Sequence, residues 1–294
     1  MSNSRQRPSQ GTSAASSRKA RAQQLIAAEQ AARKGAERRR RVLLCVAAVA
    51  VVPAIVGALV IFKPAAPRPA AAESQAPALV VRRATTVPLS VLMKLSPGQA
   101  TTPLQAVPAA GPSLTVNGKP AIVFVSEESC PFCAAERWPL VVALSHFGTW
   151  TGLGSTTSSA TDVYPNTATF SFRAAHYRSA ALTLRTTELA NNVGQPLQPE
   201  TPLDARLVAT YDVPPYVNST DQSGAVPFLD IANHYILAGA QYDPQLLAGL
   251  SAAQIARQLQ NPSSPVAKAI DGSARVIVAA LDHVLHDDHG VLAR

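Results

Sequence analysis

Ala121-Ile122-Val123-Phe124-Val125, then Ser126-Glu127-Glu128-Ser129-Cys130-Pro131-Phe132-Cys133, then Ala134-Ala135-Glu136-Arg137-Trp138, reads as an apolar strand running into a helix, with two cysteines at the junction. The helix continues through Leu140-Val141-Val142-Ala143-Leu144, ends near Phe147 and carries Pro139 inside it. A thiol in the first turn of a helix faces unpaired backbone N–H groups and the positive end of the helix dipole, and both favour the thiolate. The thiolate is the species that attacks disulfides.

The chain has three cysteines, and Cys45 lies in an apolar run far from the other two. One pair therefore remains for chemistry, which excludes a four-cysteine zinc site. A purely structural disulfide between Cys130 and Cys133 would close a very small loop and remove little chain entropy. Redox exchange is the expectation, with an inert pair as its rival.

Charge is distributed unevenly. Of the net +8, residues 1–41 carry +9, from eleven Lys/Arg against Glu29 and Glu37, and the remainder carries −1. The folded part has no basic bias, so no nucleic-acid partner is expected. Arg38 to Arg41 precede an uncharged run from Val42 to Phe62, whose 21 residues match one bilayer-spanning helix. Four arginines before it and Lys63 alone after it place the N-terminus in the cytoplasm. A cleaved signal peptide is the competing reading, but the apolar run and the basic region before it are both long for one. In either case the cysteine pair lies outside the cytoplasm, where disulfides persist.

The expected organisation is a basic cytoplasmic tail (1–41), a transmembrane helix (42–62), a Pro/Ala-rich spacer (63–87) and an extracytoplasmic domain (88–294). Pro88 to Leu95 reads as a short helix. Ser113 to Val116 and Lys119 to Val125 flank Asn117-Gly118 as a type I′ hairpin. Residues 151–167 read as irregular, Thr167 to Phe172 and Ala181 to Leu189 as strands, and Leu203 to Tyr211 as a helix. Val226-Pro227-Phe228-Leu229-Asp230-Ile231 and Tyr235 to Ala238 flank the turn Asn233-His234. Ser251 to Leu259 and Val266 to Leu285 read as helices.

Strand, Cys-helix, strands, X-Pro hairpin and terminal helix is the order of a thioredoxin fold. The fold class expected is therefore α/β and thioredoxin-like, with an enlarged insert between the Cys-helix and the Pro227 strand. A proline entering an apolar strand is unusual. In thioredoxin-like proteins a cis-proline occupies this point beside the cysteine pair, and Pro227 matches it.

Glu128 to Trp138, Val142-Ala143-Leu144-Ser145, Phe147-Gly148, Tyr164-Pro165-Asn166-Thr167, Thr169 to Phe172 and Gly224 to Phe228 resemble an actinobacterial family of membrane-anchored thioredoxin-like proteins described as a domain of unknown function. The resemblance runs from about Pro88 to the C-terminus and brings no substrate with it. The wider thioredoxin pattern implies Cys130 as the attacking cysteine, Cys133 as the resolving one and Pro227 as the cis-proline. Pro131-Phe132 resembles the Pro-aromatic pair of glutaredoxins, but no glutathione-binding set accompanies it. No metal or organic cofactor is implied. The partners implied are protein thiols or disulfides and a redox partner protein outside the cytoplasm.

Other residues offer chemistry of their own. Glu127, Glu128 or Glu136 would be able to shuttle a proton for Cys133, though solvated carboxylates near a helix start are the plainer expectation. Arg137 and Trp138 would flank the site, or Trp138 would be core. His283, His286 and His289 with Asp287 and Asp288 resemble a metal cluster at a helix end. Asn218-Ser219-Thr220 is a formal glycosylation sequon. No phosphate-binding glycine loop or Ser/His/Asp set is present.

Overall fold

A computed structural model describes residues 74–96, 102–107, 112–217 and 224–292. The tail, the 42–62 run with Cys45, the first part of the spacer and the Asn218 sequon lie outside the described residues. Among the described residues no helix is long and apolar enough to cross a membrane.

The fold is mixed α/β. In chain order the elements are β1 (Ser74–Gln75), α1 (Ala78–Thr85), α2 (Leu89–Leu92), β2 (Gln105–Ala106), β3 (Thr115–Val116), β4 (Lys119–Ser126), α3 (Pro131–Leu144), β5 (Thr149–Thr151), β6 (Gly154–Thr157), β7 (Ala168–Ser171), β8 (His176–Arg178), β9 (Thr183–Glu188), α4 (Pro202–Tyr211), β10 (Phe228–Ile231) and β11 (Tyr235–Ala238). A 3-10 turn (Pro244–Leu247), α5 (Ala252–Gln258) and α6 (Pro265–Leu292) complete it.

The central sheet is built on β4. It pairs antiparallel with β10 on one side and parallel with β9 on the other, and β11 and β2 extend the sheet beyond β10. The parallel pair requires a crossover, and α3 begins it. Side chains alternate along β4: Ile122 and Phe124 enter the larger core, with Leu140, Leu144 and Ile277, while Val123 and Val125 enter a smaller core with Leu207 and Phe228. Both faces of the strand are covered, which is why its sequence reads as an unbroken apolar run. The hairpin into β4 turns at Asn117 (φ 53°) and Gly118 (φ 73°), both left-handed as a type I′ turn requires.

Pro139 lies inside α3 without breaking it. Proline cannot donate to the carbonyl four residues earlier, which leaves the Ala135 carbonyl without its helical partner. The Tyr242 hydroxyl donates to that oxygen at 2.7 Å. One residue earlier the Thr169 hydroxyl donates to the Ala134 carbonyl, also at 2.7 Å. Trp138 donates Nε1–H to the Ala168 carbonyl at 3.0 Å and packs on Phe170 at 4.6 Å. The helix is thus braced from outside by β7, which belongs to a separate sheet, β1-β6-β7.

Two regions differ from the sequence expectation. Residues 74–87, read as the end of a spacer, form β1 and α1 and pack into the larger core through Ala76, Val80, Ala84 and Val87. Val80 and Ala84 are one turn apart and bury a single helical face. The stretch read as irregular contains β6, which has no apolar alternation and exists because β1 and β7 flank it. The expected insert is also resolved into parts. Residues 145–182 hold β5 to β8, after which β9 rejoins the central sheet and α4 covers the smaller core. Gly148 is required where the chain leaves α3, since a Cβ there would stand 2.4 Å from the Arg178 carbonyl oxygen.

Candidate functional site

Cys130 is the N-cap of α3, with extended backbone (φ −80°, ψ 123°), and Pro131 follows at the first helical position. Proline suits that position because its φ is already helical and no N–H is wanted there. The Cys130 Sγ accepts from the Cys133 backbone N–H at 3.2 Å, taking one of the orphan donors of the helix start. Cys130 is half-buried and Cys133 fully buried, and the two are not bridged.

The two thiols differ in acidity in opposite directions. Cys130 is held below the ordinary thiol range, first by a hydrogen bond from the Cys133 side chain and then, against the cost of burial, by the backbone N–H groups of Cys133 and Phe132 and the charge of Arg137. Cys133 is pushed well up, first by burial and then by its neighbour Cys130. The Glu127 N–H points at the Cys133 Sγ from 3.5 Å.

Pro227 is buried at the entry of β10, behind a cis Val226–Pro227 bond. The Val226 carbonyl lies 3.5 Å from the Cys130 Sγ, within reach of a thiol donor. The three expected site residues are therefore gathered at one place, the start of α3 against the start of β10. Phe132 is 39% exposed between the cysteines and meets Tyr164 edge-on at 6.1 Å. A hydrogen bond to Asp243 raises the Tyr164 hydroxyl above its ordinary value. The loop carrying Tyr164 is tied to the site by the Ser159 N–H, which donates to the Ser129 carbonyl at 2.8 Å. The sequence reading assigns neither Tyr164 nor Asp243 to the site. The Tyr164-Pro165-Asn166-Thr167 motif was the available signal for the first.

The carboxylates and Arg137 stand differently from the expectation. Glu136 is fully buried rather than solvated, and its carboxylate accepts from the Gln241 backbone and side-chain nitrogens at 3.0 and 2.9 Å. Burial raises its pKa to about 7. Glu127 is half-buried and accepts from Ser129 Oγ at 3.0 Å, and Glu128 is buried and accepts from Thr156 Oγ1 at 3.4 Å. Arg137 and Trp138 are both fully buried, so neither lines the surface. Arg137 instead pairs with Glu188, Nε to Oε1 at 3.0 Å and Nη2 to Oε2 at 2.5 Å. Glu188 sits beside Ser126 in the parallel β4–β9 register, and the Ser126 hydroxyl donates to its Oε2 at 2.9 Å. Sequence reading missed Glu188 because it lies 51 residues from its partner in a threonine-rich strand.

Among the described residues no group of three or more metal-ligating side chains is present; the side chains of Asp287, Asp288 and His289 lie outside the described residues. His283 stacks edge-on with Tyr235 at 5.8 Å, and His286 Nδ1 is 2.6 Å from the Asp282 carbonyl.

Two further buried carboxyls lie away from the thiols. Asp271 on α6 is fully buried with no hydrogen-bond partner at either carboxylate oxygen among the described residues, and burial raises it to about 7. Asp230 on β10 accepts from the Asn233 N–H at 2.9 Å, and burial raises it likewise to about 7. A carboxyl raised on folding binds its proton more tightly in the native state, so stability is lost as pH rises. The window runs from the unfolded values, 3.8 for Asp and 4.5 for Glu136, to about 7. Unfolding free energy should therefore fall between pH 4 and pH 8. Asp271→Asn should flatten that slope and raise stability at pH 8 by about 1–3 kcal/mol. Denaturant titrations across the range check this, and an unchanged slope in the variant would contradict it.

The chain matches, over residues 106–283, the family described as Domain of unknown function (DUF929), and it belongs to that family. The match runs from β2 through most of α6 and includes the whole of the site. Searches among curated proteins and among solved structures returned no match.

Proposed function

We propose that this member of the DUF929 family is a thiol–disulfide oxidoreductase that works on protein thiols outside the cytoplasm through Cys130 and Cys133. The observation that carries the reading is the division between the two thiols. One is partly exposed and acidified at a helix start, and the other is buried and held protonated directly beneath it. Exchange needs that difference, because a single cysteine must attack first and the second must wait. The order β4, α3, β9, α4, β10, β11, α6 supports a thioredoxin-like scaffold, with β5 to β8 as the insert.

In the reducing direction the Cys130 thiolate attacks one sulfur of a substrate disulfide. That S–S bond breaks, a Cys130–substrate disulfide forms, and the first substrate thiolate leaves and takes a proton from water. Cys133 then loses its proton and attacks the Cys130 Sγ. The Cys130–Cys133 disulfide forms, and the second substrate thiolate leaves. Two electrons pass from the dithiol to the substrate, and the reverse sequence oxidises substrate thiols. The Val226 carbonyl offers a backbone acceptor beside the reacting sulfur. No metal or organic cofactor enters. A second protein dithiol or disulfide supplies or removes the electrons.

The same reading makes residues 42–62 a single membrane anchor, with the arginines of 38–41 inside and the cysteine pair outside. One labelling experiment tests acidity and topology together. Intact cells, mildly reduced, are treated with a membrane-impermeant alkylating reagent across a pH series. Cys130 should be labelled first, with a midpoint below that of a free thiol. Equal labelling of Cys133 would contradict the division of roles, and labelling only after lysis would contradict the topology.

A further inference from the structure

We propose that Arg137, one helical turn from the buried Cys133, is the positioning residue for the resolving step, its charge stabilising the Cys133 thiolate as that thiolate forms inside the domain. The inference rests on the exchange reading above.

The geometry is that of one helix face and one strand end. Arg137 follows Cys133 by four residues on α3, which places both on the same side of the helix. The end of β4 reaches each of them separately, Ser126 meeting Arg137 and the next residue, Glu127, meeting Cys133. Arg137 Nη2 is 3.3 Å from the Ser126 hydroxyl, and the Glu127 N–H is 3.5 Å from the Cys133 Sγ. Both side chains are fully buried. Glu188 occupies Nε and Nη2, whereas Nη1, buried with them, has no hydrogen-bond partner among the described residues. Nη1 is therefore a buried N–H of the cation that the Glu188 pair does not use, and leaving it unmet is costly.

The charged and titratable groups about Cys133 and Arg137 are, besides Arg137 itself, Cys130 at the N-cap of α3, Glu127 and Glu128 in the loop after β4, and Glu188 at the end of β9. Arg137 is the sole cation among them. It interacts electrostatically with Cys133, with Glu128 and with Glu188. At rest, burial keeps Cys133 protonated. In the resolving step a negative charge must appear on that sulfur and then pass to the departing thiolate as the Cys130–Cys133 bond forms. The Cys133 proton passes to water through the opening at Cys130. A fixed cation one helical turn away lowers the energy of that charged state without lowering it enough to make Cys133 the first attacker.

The test uses the full chain in detergent with Cys45→Ala, and dithiobis(nitrobenzoate) as the disulfide. Cys130 attack releases the first nitrothiobenzoate, and Cys133 attack on the resulting mixed disulfide releases the second. The variants are Arg137→Lys, which keeps the charge, and Arg137→Met/Glu188→Gln, which removes the ion pair without stranding a buried charge. In the double variant the second release at pH 7 should slow by about tenfold or more, and its pH midpoint should move up by about one pH unit. The first release should change much less, and Arg137→Lys should stay near wild type. A second release with wild-type rate and midpoint in the double variant would overturn the inference. A wild-type protein that gives the first release and never the second would contradict the exchange reading itself, and this inference with it.

Discussion

Glu188→Ala should destabilise the domain by about 3–5 kcal/mol, the range for stripping one partner from a buried ion pair. The size follows from what stays behind. Arg137 is fully buried, and Glu188 is its salt-bridge partner. Glu188 also ties together three elements. It accepts from Ser126 on β4, from Arg137 on α3 and, through Oε1, from the Phe172 backbone N–H at 3.3 Å. Removing the carboxylate strands a cation, a hydroxyl and an amide in one place. Replacing the pair together, as Arg137→Met/Glu188→Gln, should cost much less, because no charge is left uncompensated. Denaturant unfolding followed by tryptophan fluorescence distinguishes the two, since Trp138 and Trp150 both lie in or against the main core. A loss below about 1 kcal/mol for Glu188→Ala would mean that Arg137 finds another partner or water.

Cys130→Ser should abolish disulfide exchange, taking insulin reduction with dithiothreitol down to the uncatalysed background. Cys133→Ser should fail differently. Cys130 would keep its place at the helix start and attack, but nothing would resolve the product, so mixed disulfides with substrate proteins should accumulate on non-reducing gels. This asymmetry follows from exposure and acidity. Cys130 is the accessible, acidified thiol, and Cys133 is buried, with its acidity suppressed by desolvation. Identical behaviour of the two variants, with no trapped species from either, would fit a thioredoxin-like binding module whose cysteines do not turn over.

The parts of the molecule that were legible in the sequence are those fixed by local chemistry. Asn117-Gly118 between apolar runs specifies a hairpin because few residues accept left-handed backbone twice in succession. Cys130 and Cys133 could be placed because a strand followed by Pro at a helix start leaves little choice of geometry. Pro227 stood out as a proline opening an apolar strand. What was not legible depends on distant partners. Residues 78–85 follow directly on the Pro/Ala-rich stretch and are too short to stand out from it, and only the burial of Val80 and Ala84 makes them a helix of the domain. Gly154–Thr157 is too polar to read as a strand without β1 and β7 on either side. Glu136 resembled any surface carboxylate on a helix until the loop carrying Gln241 was seen to close over it. Arg137 suggested a surface contact because its partner lies on a strand that the sequence gives no reason to place beside α3.

The central claim is that Cys130 and Cys133 cycle reversibly between dithiol and disulfide. The direct measurement is a redox titration of the full chain in detergent, with Cys45→Ala, against glutathione and dithiothreitol buffers, counting free thiols at each potential. The account predicts one two-electron transition within the range of known exchange proteins, roughly −120 to −270 mV, absent from Cys130→Ser and from Cys133→Ser. A pair that stays fully reduced or fully oxidised across that range would contradict it.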